Sequence, residues 1–340
     1  MTVSPETSAS ASPALPAEPG ARELPGRVPD FFIVGHPKCG TTALYEMLRS
    51  HPQIYMPALK EPAYFATDLR SRFQRPSAGP LPLTLEDYCA LFGDAAPEQR
   101  VGEASSGYLV SRTAARNIAQ LAPGARAIAI LREPASFLRS LHLQLLQNHI
   151  ETERDLRRAL ALEPARRAGR RIPRRSPRPQ ALLYSERLRY VEQLRRFREQ
   201  LGEERLLVVI YDDLRRDNEA AVRRVLRFLD VRDTLPVAAA EANPTVRVRS
   251  QQLDDIVHAV SVGRGPLSRA AKASIKALTP AQVRRAALRA TQRRVVLAPP
   301  PPVDVALMAE LRRRFAPEVF ALSEYLGRDL LQLWGYDGVT

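Results

Sequence analysis

Residues 31–49 read "FFIVGHPKCGTTALYEMLR" and combine three features in a fixed order. An apolar, β-branched run is followed by a turn between Gly35 and Gly40, and then by apolar residues at helical spacing. This order predicts a buried strand, a glycine loop and a helix whose backbone N–H groups face an anion. The glycine spacing is that of a Walker A phosphate loop, but Thr41 stands where its lysine belongs, and the lysine lies inside the turn as Lys38.

The alternation of strand and helix continues along the chain. Apolar runs at 100–110, 126–134 and 205–213 are each followed by a turn or an amphipathic segment. Short strands alternating with helices predict an α/β fold, here a P-loop-like three-layer α/β/α arrangement around a central parallel sheet. Residues 251–340 carry amphipathic patterns that predict a mostly helical C-terminal part.

Composition sets the expected organisation and compartment. Residues 1–28 are rich in Pro, Ala and Ser and predict a disordered leader before a single domain, 29–340. Residues 166–179, "RRAGRRIPRRSPRP", predict an exposed loop. The absence of eighteen consecutive apolar residues argues against a spanning helix, although peripheral membrane contact stays compatible. Cys39 and Cys89 form neither a disulfide framework nor a zinc motif, which favours a reducing, cytoplasmic location without a metal site.

The formal net charge of +14 indicates a general preference for anions. Only four of the 51 basic residues are lysines, an arginine bias more typical of a GC-rich genome than of a particular ligand. No nucleic-acid-binding motif is present, so nucleic acid is not an expected partner. Two of the four lysines are Lys38 and Lys60, which indicates that a compact, rotatable ammonium is needed at both places.

Two segments carry a family resemblance. "PKCGTTAL" at 37–44 together with "AILREPASFLRSL" at 129–141 resembles the two cofactor signatures of sulfotransferases that use 3′-phosphoadenosine 5′-phosphosulfate, PAPS. "KEPAYF" at 60–65 and "GEASSGYL" at 102–109 are similar to the bacterial and glycan-modifying, heparan-sulfate-sulfotransferase-like branch. The resemblance implies metal-free transfer of a sulfuryl group from PAPS to a hydroxyl or amine of a carbohydrate, lipid or secondary metabolite.

The resemblance also implies which residues bind the cofactor. Lys38 would contact the transferring group, while Arg132 and Ser140, eight residues apart, would bind the 3′-phosphate. Many members have asparagine and a second arginine where this chain has Glu133 and Phe137, and Arg139 is a candidate to compensate. The 5′-phosphosulfate loop comprises Pro37, Lys38, Cys39, Gly40, Thr41 and Thr42.

On the acceptor side, the resemblance implies that Glu61 is the base that takes the acceptor's proton. Lys60 would hold that carboxylate or the sulfuryl oxygens, and Glu103 and Ser105 would line the acceptor cleft. The alternative is an ordinary exposed Lys–Glu pair in a loop. Four histidines rank below Glu61 as bases: His36, His51, His142 and His149.

Two other functions are compatible with parts of the sequence. A P-loop kinase would use "LLVVIYDD" as a Walker B strand, with Asp212 or Asp213 holding Mg²⁺, but it requires a lysine where Thr41 stands. A non-enzymatic anion or membrane-surface binder would use the basic segments 166–178 and 264–294 and would not need Lys38. No sequence feature defines the oligomeric state or the acceptor.

Overall fold

The structure is a computed structural model. It describes residues 26–69, 81–173, 176, 179–235, 247–248, 297–298 and 300–338, with backbone alone at 247–248 and 297–298. The predicted leader, apart from its last three residues, and the basic segment 264–294 lie outside these ranges.

Within the described residues, five parallel strands form one sheet: β1 (Phe31–Gly35), β2 (Ile54–Tyr55), β3 (Arg100–Ala104), β4 (Arg126–Leu131) and β5 (Leu206–Ile210). Their order in the sheet is β2-β3-β1-β4-β5. Strand β1 lies at the centre, with Phe31 opposite both Gly102 and Arg126, and every residue of β1 is buried. The carboxyl ends of parallel strands meet at one edge of a sheet, and ligands of such sheets bind in the crevice outside that edge.

Helices pack in two groups against this sheet, and a further pair follows at the C-terminal end. Helices α1–α4 are Thr41–Arg49, Leu85–Cys89, Ala114–Leu121 and Pro134–Gln147; α5–α8 are Leu156–Ala161, Glu163–Arg167, Tyr190–Leu201 and Tyr211–Arg216; α9–α11 are Asn218–Phe228, Val305–Leu326 and Leu330–Trp334. Helix α1 contacts β1 and α9, whereas α7 contacts β4, β5 and α3, which completes the predicted three-layer α/β/α fold. The long helix α10 packs on α4 and α7. A short antiparallel pair joins β6 (Arg247–Val248) and β7 (Leu297–Ala298).

The fold class predicted from the sequence is confirmed, and three local details differ. The proline-punctuated residues 53–66 predict a loop, whereas the structure forms the edge strand β2 within them. The predicted exposed loop 166–179 begins later, because α6 continues to Arg167 and the Arg166 side chain is buried against Glu151 at 2.7 Å. Apolar residues at helical spacing predict a helix from about Leu182 to Leu201, whereas α7 starts at Tyr190, after two short 3₁₀ turns.

In the described part of the chain, none of the helices has the length and apolarity that a bilayer crossing needs. Cys39 and Cys89 are buried free thiols. Burial raises the pKa of Cys39 to about 12, so its sulfur packs as a neutral group within the glycine loop.

Candidate active site

The glycine loop between β1 and α1 has the backbone that its sequence predicts. Gly40 has a φ of 89°, and a Cβ there would lie 3.0 Å from Leu214 Cδ2 and 3.2 Å from Tyr211 Cδ2. Glycine is therefore required both by its φ and by the space around it. Lys38 is also left-handed, with a φ of 65°, a conformation that costs a non-glycine residue energy and concentrates at functional sites.

The amino end of α1 is available to an anion. Gly40 is its cap residue and offers no side chain, and the first turn contains no acidic residue. Helices α2 and α4, in contrast, are capped by the side chains of Thr84 and Glu133. Thr41 is buried and Thr42 half-buried in the first turn of α1. A helix end with uncapped N–H groups and a positive dipole fits a phosphate or sulfate group.

Two cationic side chains converge on this loop. Arg132 follows β4 and donates a hydrogen bond from Nη1 to the Lys38 carbonyl at 3.0 Å. Its guanidinium lies over the ring of Tyr211, 4.7 Å from the centroid. Burial, and then the neighbouring Arg132, lower the pKa of Lys38. The ammonium is thus destabilised where it stands, and an anion bound between these two groups would relieve that cost.

Glu133 and Phe137, the two residues of segment 129–141 that depart from the family pattern, both have contacts within the fold. Glu133 caps α4 by accepting from the backbone N–H groups of Ala135 at 3.1 Å and Ser136 at 2.7 Å, and its carboxylate is buried. Phe137 is buried against the His36 ring, with centroids 5.4 Å apart. Both side chains therefore have structural roles in place of the phosphate contacts expected of asparagine and arginine.

Arg139 and Ser140 lie on α4, two and three residues after Phe137. Burial, and then the nearby charge of Arg132, lower the pKa of Arg139, so the two guanidinium groups are within electrostatic reach of each other. Arg139 also donates to the carbonyl of Pro301. Ser140 is buried. The arrangement brings a second arginine to the neighbourhood of Arg132 from a position two residues later than the family pattern expects.

Glu61 is held in a defined position rather than free in solvent. Its φ is 63°, and its backbone N–H donates to the carbonyl of Ala104 at the end of β3, 3.0 Å away. Its carboxylate accepts from the Ser106 hydroxyl at 2.7 Å and the Ser106 N–H at 3.1 Å. The Lys60 ammonium lies 3.0 Å from the same carboxylate, and the two side chains are 21% and 33% exposed. This geometry argues against the alternative of an ordinary solvated ion pair.

The strand order brings the two predicted catalytic segments to the same edge of the sheet. Lys38 follows β1, and Glu61 is hydrogen-bonded to the end of the neighbouring strand β3. The segment after β3 bonds directly to β1, from Ser105 N to the Ile33 carbonyl at 3.1 Å and from Leu109 N to the Val34 carbonyl at 2.7 Å. A ligand in the crevice above β1 would therefore lie between these segments.

Glu103 and Ser105, predicted to line the acceptor cleft, are both fully buried. Glu103 accepts from the hydroxyls of Tyr108 at 2.7 Å and Tyr88 at 3.0 Å. Burial raises the pKa of Glu103 from 4.5 to about 7, against the opposing effect of these hydrogen bonds. The Ser105 hydroxyl accepts from the N–H of Ala63 at 2.9 Å. Burial argues against direct contact with an acceptor, and the two residues instead support the loop that carries Glu61.

Ser106 is a contact of Glu61 that no pattern in the sequence indicates. It binds Glu61 with both its hydroxyl and its N–H, although it lies 45 residues away along the chain. The serine pair in "GEASSGYL" was visible in the sequence, but no local pattern shows which of its two serines faces the glutamate.

Three of the histidines considered as bases have structural partners. His36 is buried with Nε2 2.7 Å from Gln193 Oε1, and burial lowers its pKa to about 3. His51 Nε2 lies 3.0 Å from the carbonyl of Arg232. His142 lies 2.9 Å from the hydroxyl of Tyr184. Their lower rank as bases agrees with these contacts.

The two aspartates after β5 are also engaged by protein groups. Asp213 accepts from Arg328 at 2.5 and 2.9 Å, and Asp212 accepts from the indole N–H of Trp334 at 2.9 Å. Among the residues that the structure describes, no group of three or more His, Cys, Asp or Glu side chains is arranged to hold a metal ion. The site therefore consists of cations, backbone donors and one half-buried glutamate.

Comparison with known proteins decides the family. A model of the sulfotransferase family matches residues 29–234, more than half of the chain. The chain belongs to the sulfotransferase family. This confirms the resemblance inferred from the paired cofactor signatures and supports sulfuryl transfer in general, since the matched range includes the glycine loop, Glu61 and Arg132.

Individual relatives agree with this family membership. The crystal structure of a sulfotransferase from Alicyclobacillus acidocaldarius superimposes with a TM-score of 0.64 at 25% identity, covering 91% of this chain and 99% of that one. Human carbohydrate sulfotransferase 15 is 50% identical over 46 residues, which cover 14% of this chain and 8% of that protein. The second match spans less than a tenth of the relative's length and characterises a segment only.

Proposed function

We propose that this sulfotransferase family member moves the sulfuryl group of PAPS to a hydroxyl or amine of an acceptor by in-line displacement. The observation that carries the proposal is the convergence of Lys38 and Arg132, joined by a hydrogen bond, at the uncapped end of α1. Backbone donors and two cations in one loop suit a ligand with several negative charges. No metal is assigned a role.

On the cofactor side, this proposal uses the glycine loop together with Arg132 and two residues of α4. The backbone N–H groups of Gly40, Thr41 and Thr42 receive the 5′-phosphosulfate, as at other helix amino ends. Lys38 neutralises the negative charge that develops on the oxygen between phosphorus and sulfur as the bond from that oxygen to sulfur breaks. Arg132, together with Ser140 and Arg139 on α4, binds the 3′-phosphate. Pro37 and Cys39 shape the loop.

Glu61 takes the acceptor's proton in this proposal. Ser106 and Lys60 hold its carboxylate in one orientation, so that one oxygen is presented to the acceptor hydroxyl or amine. The left-handed backbone at Glu61 supports the assignment, because such strain persists where function requires a particular geometry.

A carbohydrate is the acceptor class we favour, followed by a lipid or a secondary metabolite. The branch resembled by residues 60–65 and 102–109 modifies glycans, and the short segment shared with human carbohydrate sulfotransferase 15 agrees with it. The arginines of 167–173 favour an acidic acceptor. We expect one domain over 29–340 and a reducing, cytoplasmic setting in which both cysteines stay as thiols.

The contacts of Asp212 and Asp213 count against the kinase alternative. A Walker B carboxylate must be free to hold Mg²⁺, whereas Arg328 binds Asp213 through two hydrogen bonds and Trp334 binds Asp212. Hydrogen bonds from Arg328 lower the pKa of Asp213, so this carboxylate is ionised and already paired with a cation of the protein.

Thermal unfolding with two nucleotides tests the function. A hundredfold excess of 3′-phosphoadenosine 5′-phosphate (PAP) over its Kd, without metal, should stabilise the protein by about 3 kcal/mol, whereas ATP with Mg²⁺ should not. Lys38→Ala should remove transfer of ³⁵S from PAPS to acceptors in an extract of the source organism, and Arg49→Ala, an exposed change at the far end of the helix that follows the glycine loop, should not. Stabilisation by ATP with Mg²⁺ alone would favour the kinase.

A further inference from the structure

Residues near the C-terminal end of the described chain contact the segments that follow β4 and its neighbour β5, the edge strand of the sheet. We call residues 328–336 the C-terminal clasp. Its side chains contact three acidic residues that lie two or three positions after the last residue of β4 or β5, on the side of the sheet that carries the glycine loop. These contacts join Tyr336 to Glu133, Trp334 to Asp212 and Arg328 to Asp213.

One contact of the clasp is buried and a second is half-buried. Tyr336 donates from its hydroxyl to Glu133 Oε1 at 2.8 Å, and Trp334 donates from its indole N–H to Asp212 Oδ2 at 2.9 Å. The tyrosine and tryptophan side chains are 1% and 4% exposed. A hydrogen bond to a carboxylate is stronger than one between neutral groups, and the buried Glu133 would lose one of its donors with the Tyr336 hydroxyl.

The two acidic partners are neighbours of the groups that surround Arg132. Glu133 is the next residue in the chain and fixes the first turn of α4 through its cap. Asp212 follows Tyr211, whose ring lies beneath the Arg132 guanidinium. Arg132 in turn bonds the Lys38 carbonyl. The clasp therefore holds the backbone on both sides of the proposed 3′-phosphate contact.

We propose that Tyr336 and Trp334 are positioning residues for the nucleotide: by holding Glu133 and Asp212 they fix Arg132 and Tyr211 in the orientation that binds the 3′-phosphate. This inference rests on the proposed use of a 3′-phosphorylated nucleotide. Because coupling between two sites is reciprocal, nucleotide binding also stabilises the clasp. Arg328 and Asp213 anchor the start of the clasp.

A matched tyrosine distinguishes positioning from general packing. Tyr184 is also buried and also donates to a glutamate, Glu151, at 3.1 Å. Glu151 is paired with Arg166 at 2.7 Å. Loss of the Tyr184 hydroxyl removes a buried hydrogen bond to a glutamate, together with the 2.9 Å contact to His142, from another part of the core, and serves as the control for Tyr336.

The experiment compares PAP with adenosine 5′-monophosphate (AMP), which lacks the 3′-phosphate, by isothermal titration calorimetry. In Tyr336→Phe the Kd for PAP should rise about three- to tenfold, while the Kd for AMP changes less than about twofold. Tyr184→Phe should leave the ratio of the two Kd values unchanged. Trp334→Phe, which removes the indole donor together with part of the buried ring system, should change the ratio in the same direction as Tyr336→Phe.

Hydrogen exchange of the wild-type protein supplies a measurement that needs no variant. PAP should slow amide exchange in 328–336 more than AMP does at equal saturation. Equal protection by both nucleotides, or an unchanged ratio of Kd values in Tyr336→Phe, would overturn the inference while leaving sulfuryl transfer in place. A wild-type protein that does not bind PAP would instead refute the proposed function.

Discussion

Glu103 should make the stability of the protein depend on pH in a way that one substitution removes. The carboxyl group is fully buried between Tyr88 and Tyr108, and burial raises its pKa from 4.5 to about 7. Between about pH 4.5 and about pH 7 the folded protein keeps a proton on Glu103 that the unfolded chain has lost. Stability must therefore fall as pH rises through the window from about 4.5 to about 7, and level off above it.

The size of the effect follows from the shift. One pKa unit corresponds to about 1.4 kcal/mol, so this carboxyl group should lower the free energy of unfolding by about 2–3 kcal/mol between pH 5 and pH 8. Glu103→Gln cannot titrate. Its own cost, from placing an amide beside the two tyrosine hydroxyls, is the same at every pH and cancels when the two pH values are compared.

Urea unfolding followed by circular dichroism at pH 5, 6, 7 and 8 measures this difference. The free energy of unfolding of the wild-type protein should fall by about 2–3 kcal/mol relative to that of Glu103→Gln across the series. Glu98→Gln, which changes an exposed glutamate, should follow the wild-type curve. Parallel curves for wild type and Glu103→Gln would show that the buried carboxyl group does not hold its proton near neutral pH, and would refute the reasoning.

Three further predictions concern the site and its support. Glu61→Gln should lower kcat about 10²- to 10⁴-fold while the Kd for PAP, measured by calorimetry, stays within about twofold; an unchanged kcat would exclude Glu61 as the base. Gly40→Ala should weaken PAP binding and destabilise the fold by about 1–3 kcal/mol in urea unfolding, because an alanine at a φ of 89° is strained and its Cβ meets Leu214; wild-type affinity would show that the loop backbone is not the binding surface. Arg328→Ala should lower the free energy of unfolding by about 1 kcal/mol, since its ion pair with Asp213 is partly exposed at 34% and 23%; a loss above about 3 kcal/mol would mean that the pair is far more desolvated than this geometry indicates.

The glycine loop was predictable because all of its determinants are local. The strand pattern of β1, the spacing of Gly35 and Gly40 and the helix that begins at Thr41 occupy one continuous segment, and the structure places each element within one residue of the prediction. Lys38 could be singled out for the same reason, since its place between two glycines is a property of the sequence alone. The edge strand β2 was not predictable, because two residues, Ile54 and Tyr55, are too short to show a period.

Contacts between distant parts of the chain were decided by the tertiary structure. Glu133 departs from the family pattern: its cap of α4 is local, but its carboxylate also accepts from Tyr336, 203 residues later in the chain. Glu103 carries no mark in the sequence that separates a cleft residue from a buried one. Such contacts depend on strand order and on the return of the C-terminal helices to the edge of the sheet. Hydrogen bonds across long separations leave no periodic trace in the sequence, whereas the loop that binds an anion is built from neighbours along the chain.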